Sequence, residues 1–420
     1  MNSSSRRGWP AILSLVNNPP DVPASRKGRF WEVFWVALRL GLTSFGGPVA
    51  HFGYFHEEYV ERRRWVDEGT FADLLALSQA FPGAASSQLG FAIGIVRGGL
   101  RGGLAAWLGF TLPSAVILTT LGLGASRIGQ QAQGWVHGLV VVAVPVVALA
   151  VWKLWSNLAP DPFRSSMAVA AAVTLIAFQS PARTTTVLVI VLGGLLGWRF
   201  CRDLPAGSGQ HRLPALSRKT GVIAALVFLG LLAALPIASR VTESELVEVT
   251  DAYYGAGALV FGGGPVVLPL LEPEVVGTGW VDPELFIAGY GAAQAIPGPV
   301  FTFSSYLGAV MTPEPNGIPG AALAMVALFL PSLLMVMATL PFFSALRAHA
   351  GVQAALRGVN AAVIGILLVV LYDPLWTNAI REPSDLALAL VGFGLLAFWK
   401  VPPWLVVLLT AAAGAFITAF

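Results

Sequence analysis

Apolar runs of about 17–25 residues recur along this chain, separated by short polar stretches or by clusters of glycine and proline. A run of that length, wound as a helix, crosses a hydrocarbon core of roughly 30 Å. Hydropathy places six segments near 30–56, 71–96, 103–124, 136–156, 166–180 and 184–198. Six more lie near 247–271, 284–311, 317–343, 353–372, 385–399 and 402–420. Between the two sets come a basic stretch, Arg199 to Lys219, and one unpaired apolar segment, 220–240. The pattern predicts an all-α polytopic membrane protein.

Composition sharpens that reading. Of the 420 residues 56% are hydrophobic and 11% charged, against about 25% charged in a soluble domain. So few charges cannot cover a water-facing surface, so the expected partner is a lipid bilayer. The net charge of +3 is assigned to arginines anchoring the cytoplasmic face, and no nucleic acid is expected. Residues 1–29 are polar and rich in Pro and Ser, which predicts a disordered cytoplasmic tail rather than a signal peptide. A single cysteine, Cys201, leaves no internal disulfide and no thiolate metal set.

The two sets of segments are copies of one unit. Trp65-Val66-Asp67 returns as Trp280-Val281-Asp282, an offset of 215 residues, and at that offset Phe71, Gln79, Pro82 and Gly83 meet Phe286, Gln294, Pro297 and Gly298. Upstream, Phe45-Gly46-Gly47-Pro48 returns as Phe261-Gly262-Gly263-Gly264-Pro265; downstream, Pro113-Ser114 returns as Pro331-Ser332. The expected organisation is a first repeat over 30–198, a basic linker over 199–219, an extra helix over 220–240 and a second repeat over 247–420. One extra crossing changes the parity, so the second repeat is expected to be inverted, as in many transporters.

Charge supports the inversion. Arg26, Lys27, Arg29, Arg62, Arg63, Arg64, Arg97 and Arg101 gather around the first repeat; the matching loops of the second hold Glu272, Glu274, Asp282, Glu284 and Glu314. Lys and Arg mark the cytoplasmic side, so the N-terminus is expected inside and the C-terminus outside. Three basic clusters separated by apolar segments belong on one face only if the intervening segments turn back. Gly46-Gly47-Pro48 and Pro82-Gly83 interrupt those segments midway, which predicts re-entrant or broken hairpins, tolerated where they line a protein cavity. The competing arrangement is about thirteen plain spanning helices.

Ser44-Phe45-Gly46-Gly47-Pro48, the Glu58 to Trp65 stretch, Ser78-Gln79-Ala80-Phe81-Pro82-Gly83-Ala84 and Gly109 to Ser114, with their second copies, resemble the signatures of the chromate ion transporter family. The resemblance runs from about residue 30 to 372 and matches the long, two-domain members. It implies efflux of chromate across the cytoplasmic membrane and chromate resistance, with sulfate as the isosteric competitor.

The residues suit that chemistry on their own terms. A tetrahedral dianion entering a membrane must exchange its hydration shell for hydrogen-bond donors. The first N–H groups of a helix lack internal partners and sit at the electropositive end of its dipole. Glycine permits close approach, and proline in the first turn gives up only an N–H that is orphaned anyway. The candidate substrate site is therefore Ser44, Phe45, Gly46, Gly47, Pro48, Gln79, Pro82 and Gly83, with Phe261, Gly263, Gly264, Pro265, Gln294, Pro297, Gly298 and Pro299. Each Gly/Pro motif has a packing explanation too, and Gln79 and Gln294 have one as interhelical hydrogen bonders. Ser86, Ser87, Thr302 and Ser304 are further hydroxyl candidates.

Arg39, His51 and Glu58 are candidates for anion attraction or coupling. Arg39 has two competing readings, pairing with Glu32 and snorkelling to the cytoplasmic surface. His51 and His56 fall off a common helical face, so no metal and no cofactor are expected. The chain lacks a Walker motif and a nucleophile–base constellation, which argues against ATP drive and against an intramembrane enzyme. A sulfate carrier and an anion channel of the same architecture remain as alternatives. Both repeats lie in one chain, so a monomer can hold a whole site; a homodimer remains open.

Overall fold

The structure, a computed structural model, describes residues 26–125, 133–178, 183–202, 216–261 and 264–417. Nearly all of the expected tail, the middle of the linker and Gly263 lie outside these residues. Where the description begins, Arg26–Arg29 already belong to a helix. The described residues form helices and turns, with no strand among them, and the protein is an all-α polytopic membrane protein.

The chain opens with α1 (Arg26–Thr43), α2 (Gly47–Phe55) running into a π-helical turn (His56–Arg62), α3 (Glu68–Ala80) and α4 (Ala85–Ala125). α4 is not one rod. Gly98 and Gly99 leave helical dihedral space, and the chain doubles back there, pressing Gly94 against Gly102 and Gly103 against Phe91 and Ile95. Then come α5 (Gln133–Leu158), α6 (Pro162–Ala177), α7 (Arg183–Phe200) and α8 (Arg218–Thr242). The later half holds α9 (Glu245–Leu259), a 3-10 turn (Gly264–Val267), α10 (Leu268–Val275), α11 (Pro283–Ala295), a 3-10 turn (Val300–Thr302) and α12 (Phe303–Val310). It ends with α13 (Gly317–Thr339), α14 (Phe343–Ala348), α15 (Ala350–Val370), α16 (Thr377–Ala379), α17 (Pro383–Ala397) and α18 (Pro403–Ile417).

Polar contacts locate the ends of these elements. The Arg29 guanidinium donates to the Arg97 carbonyl at 3.4 Å, Arg97 pairs with Glu32 at 3.1 Å, and Arg63 and Arg97 both lie over the Trp65 ring, at 5.6 and 5.3 Å. The start of α1, the loop after the π-turn and the Gly98–Gly99 turn therefore share one end of the molecule. Each of the segments 26–62 and 68–97 enters from that end, breaks, and returns to it. The later half does the same elsewhere: the Glu314 amide donates to the Glu245 carboxylate at 2.6 Å, and the Thr312 amide to the Trp280 carbonyl at 3.0 Å. The 100–125 limb of α4 joins the two ends. It begins at the Gly98–Gly99 turn, and its Gly122 packs on Ala309 and the Tyr306 carbonyl. α13 returns the other way and delivers Pro341 and Phe342 against Gly221 of α8. The ends of the two hairpin pairs thus lie at opposite ends of the molecule, the first gathered around Arg63 and Arg97 and the second around Glu245 and Glu314. Thirteen plain crossings are not what the chain forms: five helical stretches among the described residues are long and apolar enough to span, and one of them is the doubled-back α4.

The recurring Trp-Val-Asp motif has a local role at the hairpin ends. Asp67 caps α3 by accepting from the Thr70 amide at 2.8 Å, and Asp282 caps α11 by accepting from the Glu284 amide at 2.8 Å. Such caps are worth about 1 kcal/mol each, and they fix where the second hairpin of each pair begins.

The remaining helices cross over between halves. α5 packs on α17 and α18, whereas α15 packs on α6 and α7. Glycines let the backbones meet, Gly138 against Thr410 and Ala411, and Gly358 against Gly193 and Gly197. Lipid supplies no hydrophobic drive for helix association, so close van der Waals contact between small residues must do it.

Candidate functional site

The four chain breaks meet in the interior as two reciprocal pairs. The Gly83 amide donates to the Val260 carbonyl at 2.6 Å, and the Gly298 amide donates to the Ser44 carbonyl at 2.9 Å. Ser44 and Val260 end α1 and α9, so each carbonyl is one that its helix leaves unpaired. The second break of each half therefore caps the first break of the other. This corrects one expectation: the Gly83 and Gly298 N–H groups are engaged in holding the halves together and are not free for an anion. Glycine is required for the geometry, since φ is +134° at Gly83 and +106° at Gly298. A side chain at Gly298 would meet Ser114 Oγ at 2.8 Å, and one at Gly83 would run into Gln88 and Ser332.

Pro113-Ser114 and Pro331-Ser332 acquire a role here. Ser332 Oγ accepts from the Ala84 amide at 2.9 Å, while Ser114 Oγ faces Gly298 and donates to the Thr111 carbonyl at 3.1 Å. Both serines stand next to a proline inside a spanning helix.

The first break has a different character. Gly46 is exposed, Gly47 and Pro48 are half-buried, and both glycines have positive φ, +99° and +77°. A methyl on Gly47 would meet no atom within 4 Å. Beyond this glycine the N-terminus of α2 therefore faces open space, and its dipole favours an anion there. Phe45 leans on Trp404 at the start of α18, with ring centroids 5.9 Å apart. In the later half Phe261 is half-buried, Gly264 and Pro265 begin the 3-10 turn, and Gly263 lies outside the described residues. Pro82 and Pro299 are buried and Pro297 half-buried.

Gln79 is exposed, on a stripe of α3 shared with Glu68 and Ala72, and Gln294 is half-buried. α11 packs on α5 and α18, so the two helices differ in cover. The amide at the break is instead Gln88, which is fully buried; its Nε2 donates to the Pro82 carbonyl at 2.7 Å, and its Oε1 has no partner. Among the hydroxyl candidates, Thr302 donates to Pro299 at 2.7 Å and Ser304 to Phe301 at 2.9 Å. Ser86 is buried, and the buried Ser87 Oγ is unpartnered.

The three candidates for attraction or coupling are scattered. Arg39 is exposed and lies one turn before the break, at the end of α1 away from Arg29; Glu32 pairs with Arg97, not with Arg39. Glu58 sits at the basic end, buried, with Arg63 at 2.6 Å and Arg62 at 3.2 Å. Burial pushes its carboxyl up, and the hydrogen bonds and charges of Arg63 and Arg62 outweigh this, leaving it below its ordinary value. Glu58 is thus a tie within the basic end, on the π-turn that follows α2. His51 does lie at the first break, buried, with Nε2 3.2 Å from the Ser44 carbonyl oxygen. His56 is elsewhere, at the basic end, where its Nε2 meets the two Glu68 carboxylate oxygens at 2.9 and 3.0 Å.

Comparison with known proteins bears on both halves. The family model for the chromate transporter matches residues 31–198 and again 247–415. A probable chromate transport protein of Synechococcus elongatus is 29% identical over 390 residues, covering 90% of this chain and 93% of the relative. A chromate transport protein of Cupriavidus metallidurans is 28% identical over 366 residues, covering 86% of each chain. An uncharacterized transporter of Bacillus subtilis, 29% identical over 174 residues, covers 40% of this chain but 86% of its own length. No solved structure matches the chain. The breaks and their cross-links lie inside the two matched regions, and the chain belongs to the chromate transporter family, a family of membrane transporters and not of enzymes.

Proposed function

We propose that this protein is a secondary transporter that exports chromate across the cytoplasmic membrane and so confers chromate resistance. The oxyanion is held at the glycine-rich breaks by backbone N–H groups of the helices that begin there, α2 foremost, with no need of a buried lysine. The observation that carries this reading is the open space in front of Gly47 at the N-terminus of α2, beside the carbonyl that Gly298 caps. Neutral donors suit a carrier, which must release as readily as it binds. The names of the Synechococcus and Cupriavidus relatives support chromate as the substrate.

The same reading takes 30–198 and 247–420 as two copies of one unit, inverted by the 220–240 helix. The paired match of the family model, the half-length Bacillus relative and the reciprocal hydrogen bonds support it. The arginines gathered around Arg63 and Arg97 support an N-terminus inside and a C-terminus outside. Inside-negative potential favours anion exit by about 2.3 kcal/mol per charge per 100 mV, so export needs no ATP.

The test is uptake of labelled chromate into inside-out vesicles, with sulfate as competitor. Saturable uptake that sulfate inhibits weakly is expected. Sulfate uptake that chromate barely disturbs makes the protein a sulfate carrier, and flux that never saturates makes it a channel.

A further inference from the structure

The buried polar atoms around the breaks are unevenly satisfied. Among the described residues Ser44 Oγ, His51 Nδ1, Ser87 Oγ, Gln88 Oε1 and Thr111 Oγ1 of the first half are buried without a hydrogen-bond partner, and in the second half the Tyr253 and Tyr290 hydroxyls are. His51 stands three residues after Pro48, and the third residue after the matching Pro265 is the apolar Leu268. A buried polar atom left unpaired costs about 1–3 kcal/mol, so each asks what else it serves.

His51 gives the most definite answer. Its Nε2 faces a carbonyl oxygen, so that nitrogen must carry a hydrogen and donate. Nδ1 is then a bare lone pair, buried and unpartnered. The ring packs against Phe110 at 5.3 Å and Phe55 at 6.5 Å. The Ser44 carbonyl that it engages is the same one that Gly298 caps. Among the described residues no charged side chain is seen to face it from the elements around it. On α1, Arg29 and Glu32 meet Arg97 of α4 at the basic end, and Arg39 is exposed; on α4, Arg101 is exposed; on the π-turn, His56 meets Glu68, Glu57 is exposed and Glu58 holds Arg62 and Arg63.

We infer that His51 binds a proton that is taken up together with the oxyanion at the neighbouring Gly46–Gly47 break. This rests on the oxyanion reading above. The proton adds to Nδ1, the Nε2–H bond to Ser44 stays, and the imidazolium places a positive charge behind the tip that holds the anion. Each ligand strengthens the other by the same factor, as linkage requires. A dianion then moves with one proton and carries one net negative charge per cycle. Membrane potential drives such a cycle outward, and an inward pH gradient opposes it.

The experiment uses the full chain in proteoliposomes loaded with a pH-sensitive dye, with the potential clamped and labelled chromate or sulfate as substrate. Wild type should move one proton with each oxyanion, in the same direction, and its apparent affinity should weaken by up to about tenfold per pH unit above the imidazole titration. His51→Gln keeps a donor for Ser44 but cannot take the proton; whatever oxyanion flux it retains should carry none and show a flat pH profile. If that variant fails to fold, the imidazole ¹⁵N shift of His51 in wild type decides, changing to imidazolium when chromate is added. Wild-type flux without protons, proton flux that survives in His51→Gln, or an imidazole that stays neutral with chromate bound overturns the proposal. Absence of flux with either oxyanion overturns the oxyanion reading first, and this proposal with it.

Discussion

Gly298 donates its amide hydrogen to the carbonyl of Ser44 at 2.9 Å, a bond between residues in opposite halves of the chain, and Gly83 returns the arrangement on Val260 at 2.6 Å. These bonds explain why both breaks carry glycine. With φ at +106° and +134°, an L side chain is strained by about 1–3 kcal/mol, and at Gly298 it also crowds Ser114. Gly298→Ala and Gly83→Ala should therefore lower thermal stability in detergent, by an amount equivalent to about 2–4 kcal/mol, and reduce transport together with it. Either variant melting like wild type would show that the cross-link does not hold the halves.

Gly47 should behave differently. Its φ of +77° costs an alanine about 1–2 kcal/mol, but the methyl would project into open space. Gly47→Ala is expected to fold, with a melting temperature only a few degrees down, and to lose transport at least tenfold because the methyl takes the anion's place. Transport at wild-type rate by a well-folded Gly47→Ala would remove this break from the site.

Much of this was legible before any coordinates. Gly46, Gly47, Gly83 and Gly298 stand out in sequence because positive φ favours glycine over every other residue type. The hairpins were legible from Arg63 and Arg97, whose charges had to share a face. Gln79 and Gln88 differ in helical phase: three residues before the Pro-Gly break, Gln79 falls on the exposed stripe of α3, while Gln88, one turn into the next helix, points back at Pro82. Nothing in the second half flags Gln88, since Phe303 stands at the matching position. Arg39 shows in the sequence only as an isolated cation in the 30–56 run. Folded into a hairpin, the same residues put Arg39 at the tip end. Ser114 and Ser332 show in the sequence as a repeated pair, but the approach of Ser114 to Gly298 and the bond of Ser332 to Ala84 join residues far apart in the chain.

Glu58 ties the basic end through Arg63 and Arg62. Its carboxyl is held below its ordinary value, so its stabilisation is fully present above the usual carboxylate range and is lost as pH falls through the lowered folded value. Glu58→Gln should cost about 1–3 kcal/mol at pH 7, less than a fully buried pair because both arginines are partly exposed. The gap between variant and wild-type melting temperatures should close as pH is taken down through the acid range. A gap that persists at pH 3 would mean that packing, not charge, accounts for the loss.

Sidedness can be read with single cysteines after Cys201 is replaced by serine. The Arg63 and Arg97 side chains lie over one Trp65 ring, so Arg63→Cys and Arg97→Cys should react with an impermeant maleimide from the same face. Glu314→Cys should react from the other, because its amide bonds to Glu245 at the acidic end. Gln79 and Gln294 sharpen the measurement. Gln79 lies on the exposed stripe of α3, whereas α11, which carries Gln294, packs on α5 and α18. Gln79→Cys should therefore label from the basic face several-fold faster than Gln294→Cys labels from the acidic face. That difference is what a carrier open toward one side requires, and it should shrink or reverse when saturating oxyanion shifts the population of states. Labelling of Arg63→Cys and Arg97→Cys from opposite faces would break the hairpin geometry on which the site is built. Equal, substrate-independent labelling at the two glutamines would favour an open channel over alternating access.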